Sequence, residues 1–180
     1  MRRGFGRPLR RAFAANIPPL LQRANQEMTN GNYMDAATDF EQLARAADAR
    51  GGPRAPLFYI QAGRAKIMAD QTAPGVEFLE RGLGLFAMRG QLPRASNFGA
   101  RIISELTQRG LAKEAGQITG YLKNLVPGFD VSPHASGTTK RPPLPTHCPG
   151  CGAPVRPDEV EWLDEVTAEC AFCGSPVREA

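Results

Sequence analysis

Histidine and tryptophan are almost missing from this chain: two and one among 180 residues. Few side chains are left for nucleophilic or proton-transfer chemistry near neutral pH. The sequence also has no Gly-Lys-Ser/Thr phosphate loop, no His-Glu metal motif and no nucleophile elbow, which removes the enzyme classes built on those devices. The expectation is a protein that is not an enzyme. No apolar run approaches the ~18 residues needed to span a bilayer, and the mean hydropathy is -0.33, so no transmembrane segment is expected. Acids are missing from the first 26 residues, and serine is missing before Thr29. Arg2-Arg3 is followed by no apolar export region, and the arginine-rich start lacks the serines of a transit peptide. A cytoplasmic address is therefore expected.

What is present is unevenly charged. Residues 1–146 carry 20 Lys/Arg against 11 Asp/Glu, a net +9, whereas 147–180 carry 2 against 7, a net -5. The two parts attract different partners. Residues 1–16 read as a basic arm in which Phe5, Leu9 and Phe13 recur on one helical face. In the first reading Phe13, Ile17 and Leu20 cap a helical domain while the arginines stay hydrated. Contact with a membrane surface or with nucleic acid is the alternative.

Residues 17–126 read as a helical domain punctuated by glycine. Gly31, Gly51, Gly90 and Gly110 each follow a helix-compatible run, where a left-handed cap favours a residue without Cβ. Pro56 and Pro93 stand where a new helix begins. Six helices follow, over 18–30, 33–50, 55–70, 74–89, 93–109 and 112–125. Their apolar positions keep a 3.6-residue period: Ala36, Phe40, Leu43 and Ala47; Leu79, Leu83 and Phe86; Phe98, Ile102 and Leu106; Ile118, Leu122 and Leu125. One stripe per helix implies antiparallel helix pairs packed side by side.

The pairs look like copies of a unit. Asn30-Gly31-Asn32-Tyr33-Met34-Asp35-Ala36-Ala37, followed by Phe40 and Leu43-Ala44, resembles the tetratricopeptide signature: a glycine turn, an aromatic, a small residue for close contact, then another aromatic. A weaker copy places Gly75 and Leu79 in the small and large positions, and a third uses Gly110, Ala115, Thr119 and Leu122. The spacings from Ala36 to Gly75 and from Gly75 to Ala115 are 39 and 40 residues, longer than the roughly 34 of the usual repeat. The resemblance implies a right-handed tetratricopeptide-like solenoid whose concave surface is lined by the first helix of each pair. A plain six-helix bundle is the alternative.

Residues 127–146 hold five prolines and no apolar period. Such a linker is extended and semi-rigid, and is expected to keep the flanking modules apart. Within 147–180, Cys148-Pro-Gly-Cys151-Gly152 and Cys170-Ala-Phe-Cys173-Gly174 stand eighteen residues apart. That is the spacing of a four-cysteine zinc site. Two residues between cysteines let both sulfurs reach one ion from a tight turn. Val160, Trp162, Leu163, Val166 and Thr167 favour strands, and Asp164-Glu165 suits a turn between Glu159–Leu163 and Val166–Cys170.

The whole resembles a zinc ribbon, a small β unit with two knuckles. By that likeness Cys148, Cys151, Cys170 and Cys173 are the ligands of one structural Zn2+. A rubredoxin-like iron centre would use the same four sulfurs, and two disulfides would need an oxidising compartment. His134 and His147 are read as linker side chains, and Trp162 as a packing residue or a recognition aromatic.

Zinc ribbons often bind nucleic acid, but residues 158–169 carry six acids and no base, which repels phosphate. The expected function is therefore a protein-interaction scaffold or adaptor, with the helical groove and the ribbon as docking modules for a peptide or helix of a protein partner. Arg64, Lys66 and Arg101 fall on first helices and are groove candidates, with Trp162 on the ribbon. A nucleic-acid-associated factor using the basic arm and helices is the alternative.

Overall fold

A computed structural model describes residues 18–130, 142–157, 160–170, 172, 173 and 175–178. The basic arm, Ile17, His134, the middle of the proline-rich stretch, Asp158, Glu159 and Gly174 lie outside the described residues. The chain is mainly α. Its helices are α1 (Pro19–Asn30), α2 (Tyr33–Ala49), α3 (Ala55–Met68), α4 (Thr72–Met88), α5 (Leu92–Gln108) and α6 (Ala112–Leu125). Every boundary lies within two residues of the sequence expectation. No helix among the described residues is long and apolar enough to cross a membrane.

The helix ends show why the boundaries were legible. At Gly31 the chain turns left-handed, with φ 81°, and the amides of Gly31 and Asn32 bond back to the carbonyls of Met28 and Glu27. This closes α1 where a side chain would be strained. The exception is α3, which stops two residues early because Asp70 takes φ 59° without a glycine. Aspartate is among the few residues that tolerate this conformation.

Successive helices pack in pairs, with α3 held between α2 and α4. The stripes read from the sequence face inward: Phe40, Leu79, Leu83, Phe86, Ile102, Ile118 and Leu122 are all nearly inaccessible. The α3–α4 contact is close because glycine stands at its crossing points. A Cβ on Gly82 would sit 2.7 Å from the Pro56 carbonyl oxygen and 2.7 Å from Ile60 Cγ1, well inside van der Waals contact. Ion pairs cross the outer seams, including Arg23 to the buried Asp39 and Arg81 to Asp48. Lys66 bonds Glu41 at 2.9 Å while its ammonium lies over the Phe78 ring.

After the helices comes a small antiparallel sheet of β1 (Glu161–Trp162), β2 (Thr167–Glu169) and β3 (Pro176–Arg178), in that order. Trp162 pairs with Ala168, and Ala168 with Val177. The hairpin strands are shorter than expected. Asp164 Oδ1 accepts the amides of Val166 and Thr167 at 2.9 and 2.6 Å, so the turn takes up Leu163 to Val166 rather than two residues. These amide bonds, that of Val166 foremost, hold the Asp164 carboxyl below its ordinary range.

The proline-rich stretch does not keep the modules apart. Cys148, Cys151, Ala153, Phe172 and Val177 share one apolar cluster with Leu21 and Ala24 of α1, Phe40 of α2 and Phe58 of α3. Linker composition states that a segment is stiff; it carries no information on whether the surfaces at its two ends match. The glycine contacts give a paired expectation. Gly82→Ala should cost about 1–3 kcal/mol by overpacking, whereas Gly116→Ala, where a Cβ meets nothing within 4 Å, should be neutral or stabilise by about 0.5 kcal/mol. Urea unfolding midpoints of the two variants check both signs.

Candidate metal centre and the adjoining cleft

Each cysteine pair is set in a knuckle tied by its own backbone. In the first, the Cys148 amide donates to the Ala153 carbonyl at 2.8 Å, and the Gly152 amide returns to the Cys148 carbonyl at 2.9 Å. Gly152 takes φ 73° to make this turn. In the second, the Cys170 amide donates to the Ser175 carbonyl at 2.9 Å. The four sulfurs converge from the two knuckles. All lie within 4.8 Å of one another, and all four residues are buried.

The sulfur–sulfur separations test what this cluster can hold. Cys148 and Cys173 sulfurs are 3.6 Å apart, and those of Cys151 and Cys170 are 3.8 Å apart. A disulfide needs about 2.05 Å. A tetrahedron of sulfurs about 2.3 Å from a central ion has edges of about 3.8 Å. The donor set therefore fits one tetrahedral thiophilic cation. Ser175 supports it from behind, its buried hydroxyl 3.2 Å from Cys173 Sγ, where it can donate to a thiolate. His147 is exposed and turned to Thr146 Oγ1 at 3.1 Å; it takes no place in the cluster.

Crowding splits the four acidities. Hydrogen bonds from Cys151 and then Cys170 draw the Cys148 thiol down to about 6. Cys173 is likewise drawn down, chiefly by Cys148. Cys151 and Cys170 are pushed up, in both cases by Cys148 first. Four thiolates cannot share so small a volume without a positive charge among them, which a bound cation would supply.

The first knuckle is fastened to the helices through its backbone. Asn25 Nδ2, buried on α1, donates to the Cys151 carbonyl at 2.8 Å, and Gln22 donates to the Gly150 carbonyl at 3.0 Å. Beside it lies a cleft of about 680 Å³, whose walls include α3, α5 and the Pro154–Arg156 stretch of the knuckle. Glu105 on α5 ties its sides together. The carboxylate accepts Arg64 Nε and Nη2 of α3, each at 3.0 Å, and Arg156 Nη1 from beside the first knuckle at 2.8 Å.

Two of the expected groove residues, Arg64 and Arg101, line this cleft. Lys66 does not; its bonds to Glu41 and Phe78 hold α3 to α2 and α4. Trp162 is half-buried on the sheet, where its indole donates to the Pro157 carbonyl at 3.3 Å. No protein-family model, no curated protein and no solved structure matches the chain.

Sequence reasoning missed Asn25, Glu105 and Arg156. For Glu105 a signal existed: between Glu80 and Glu114 it is the only acid among five arginines and a lysine. Asn25 gave none, since an asparagine inside a polar helical turn reads as hydrated. Replacing Asn25 by alanine leaves the buried Cys151 carbonyl without this donor, and should lower stability by about 1–3 kcal/mol, read by denaturant unfolding. Acid should release a bound ion. Thiolates bind the metal and thiols do not, so protons compete with the ion for the four sulfurs, and metal retention should fall as pH is lowered, as equilibrium dialysis would show.

Proposed function

We propose that this chain is a non-enzymatic adaptor in which tetratricopeptide-like helix pairs and a zinc ribbon together form one docking unit for a protein partner. The observation that carries this reading is the shared cleft: α3 and α5 supply two sides and the first cysteine knuckle a third. Such a concave surface on stacked helices is rigid, so little freedom is lost on binding. Zinc is the ion we assign to the four sulfurs. With four cysteine ligands it keeps no open position for water or substrate, and its contribution is to cross-link the two knuckles.

The helices' charges favour this reading over nucleic-acid binding. Arg23, Arg45, Arg64, Lys66 and Arg81 are each engaged by a carboxylate of the chain itself. A surface whose cations are internally paired has fewer to exchange for phosphate counter-ions.

Elemental analysis should find one zinc per chain, and iron in its place would move the ribbon to the redox class. Chelation should expose four reactive thiols and lower the melting temperature, because about 10 kcal/mol of metal-binding free energy is folding free energy for such a module. For the adaptor itself, the test is affinity capture with the full chain, the chelated chain and Met68→Trp, which fills the cleft. A genuine partner should be lost in the last two. A partner captured equally well by all three would refute the cleft as the docking site.

A further inference from the structure

Helix α3 is enclosed by its neighbours, and ten of its fourteen residues are buried. Only one of those ten, Gln61, has a polar side chain. Four of the five buried polar residues of the chain are accounted for. Asn25 donates to the Cys151 carbonyl, Asp39 accepts Arg23, Thr167 Oγ1 accepts Arg178 Nε, and Ser175 meets Cys173 Sγ. Gln61 is the exception: it is 6% exposed, and its carboxamide forms no hydrogen bond with any described residue. A buried amide left unpaired costs stability.

The carboxamide is not sealed in the core. Among the described residues Gln91 Oε1 is the one fully enclosed side-chain polar atom without a partner, so the unpaired Gln61 atoms reach an opening. That opening is the cleft, which Gln61 lines together with Arg64 and Met68 of the same helix. Positions three and seven residues apart share one helical face. We propose that the cleft receives an extended peptide segment whose main-chain amide pairs with the Gln61 carboxamide. This rests on the adaptor reading and names how that site holds its partner.

A carboxamide presents an acceptor oxygen and an NH2 donor in one plane. An extended chain offers the complementary N–H and C=O along its edge, whereas a helix has already spent both on its own hydrogen bonds. Beside Gln61 the lining is apolar, with Met28 and Met68 half-buried and Ile102 and Leu106 belonging to the core. Methionine adapts to side chains of differing shape, so a segment pinned by its main chain is free to vary what it lays there. The volume of about 680 Å³ falls within the range of about 300–1,000 Å³ typical of binding clefts. A nucleobase edge would also satisfy a carboxamide, but its phosphates would pass Glu105, which stands in the same lining.

The test pans the full zinc-loaded chain against a random dodecapeptide phage library, with Met68→Trp as the counter-selection. Recovered peptides are synthesised with a fluorescent label, and each backbone N–H is replaced in turn by an ester oxygen. Anisotropy should show one position at which the ester weakens binding by about tenfold. Gln61→Met, of similar size, should weaken the parent peptide by about tenfold, and the ester at that position should then have no further effect. The melting temperature of free Gln61→Met should be unchanged or higher, because an unpaired buried amide is removed.

A lower melting temperature would show Gln61 to be paired within the fold and overturn the proposal. Ester effects that persist undiminished in Gln61→Met overturn it too. Recovery of no peptide that Met68→Trp rejects would leave the carboxamide to bound water alone and also overturn it; the adaptor reading survives that result if a Met68→Trp-sensitive partner is still captured. An oligoadenylate that binds more tightly than every recovered peptide, and is lost in Gln61→Met, would assign the amide to a nucleobase and overturn the peptide segment.

Discussion

Four sulfurs packed within 4.8 Å of one another in a dry pocket are stable only if something offsets their mutual repulsion as anions. As neutral thiols they make weak hydrogen bonds and little else. The surrounding ribbon is too small to bury a core of its own, and its strands are two or three residues long. A cation at the centre would satisfy both deficits at once: it would remove the repulsion and join two knuckles that backbone bonds alone hold locally.

The ribbon's remaining stabilisation comes from the helices. Asn25 and Gln22 satisfy carbonyls of the first knuckle, and Phe172 and Val177 extend the apolar cluster of Leu21, Phe40 and Phe58. Cysteine cluster and helical domain are consequently one structural unit. The carbonyl that Asn25 holds belongs to Cys151, one of the four clustered cysteines, so a disturbance at α1 reaches the sulfur cluster through a single residue.

Glu105 does for the cleft what Asn25 does for the knuckle. One carboxylate joins α3, α5 and the ribbon across an opening that none of them spans alone. Bidentate geometry with Arg64, a side chain only 12% exposed, makes this bridge more than a surface ion pair, whose contribution would be about 0–1 kcal/mol. The α3–α4 pair behind the cleft is closely packed. Gly63, Gly75 and Gly82 bring the two backbones too close for any side chain to intervene.

Local physics was legible in the sequence. Helix lengths followed from glycine stops and a 3.6-residue apolar period, and the four sulfurs from a two-residue spacing within each pair. These depend on neighbours along the chain, and the helix that was expected to run two residues too far, at Asp70, stops where an aspartate takes a conformation usually left to glycine. The docking of the ribbon, the shared role of Glu105 and the divergence of Lys66 from Arg64 were decided by tertiary structure. Residues 64 and 66 lie on opposite sides of one helix turn, and which side faces a cleft depends on what packs against it. Asn25 meets Cys151 across 126 residues; no period or spacing encodes a contact between surfaces that meet only after both have folded.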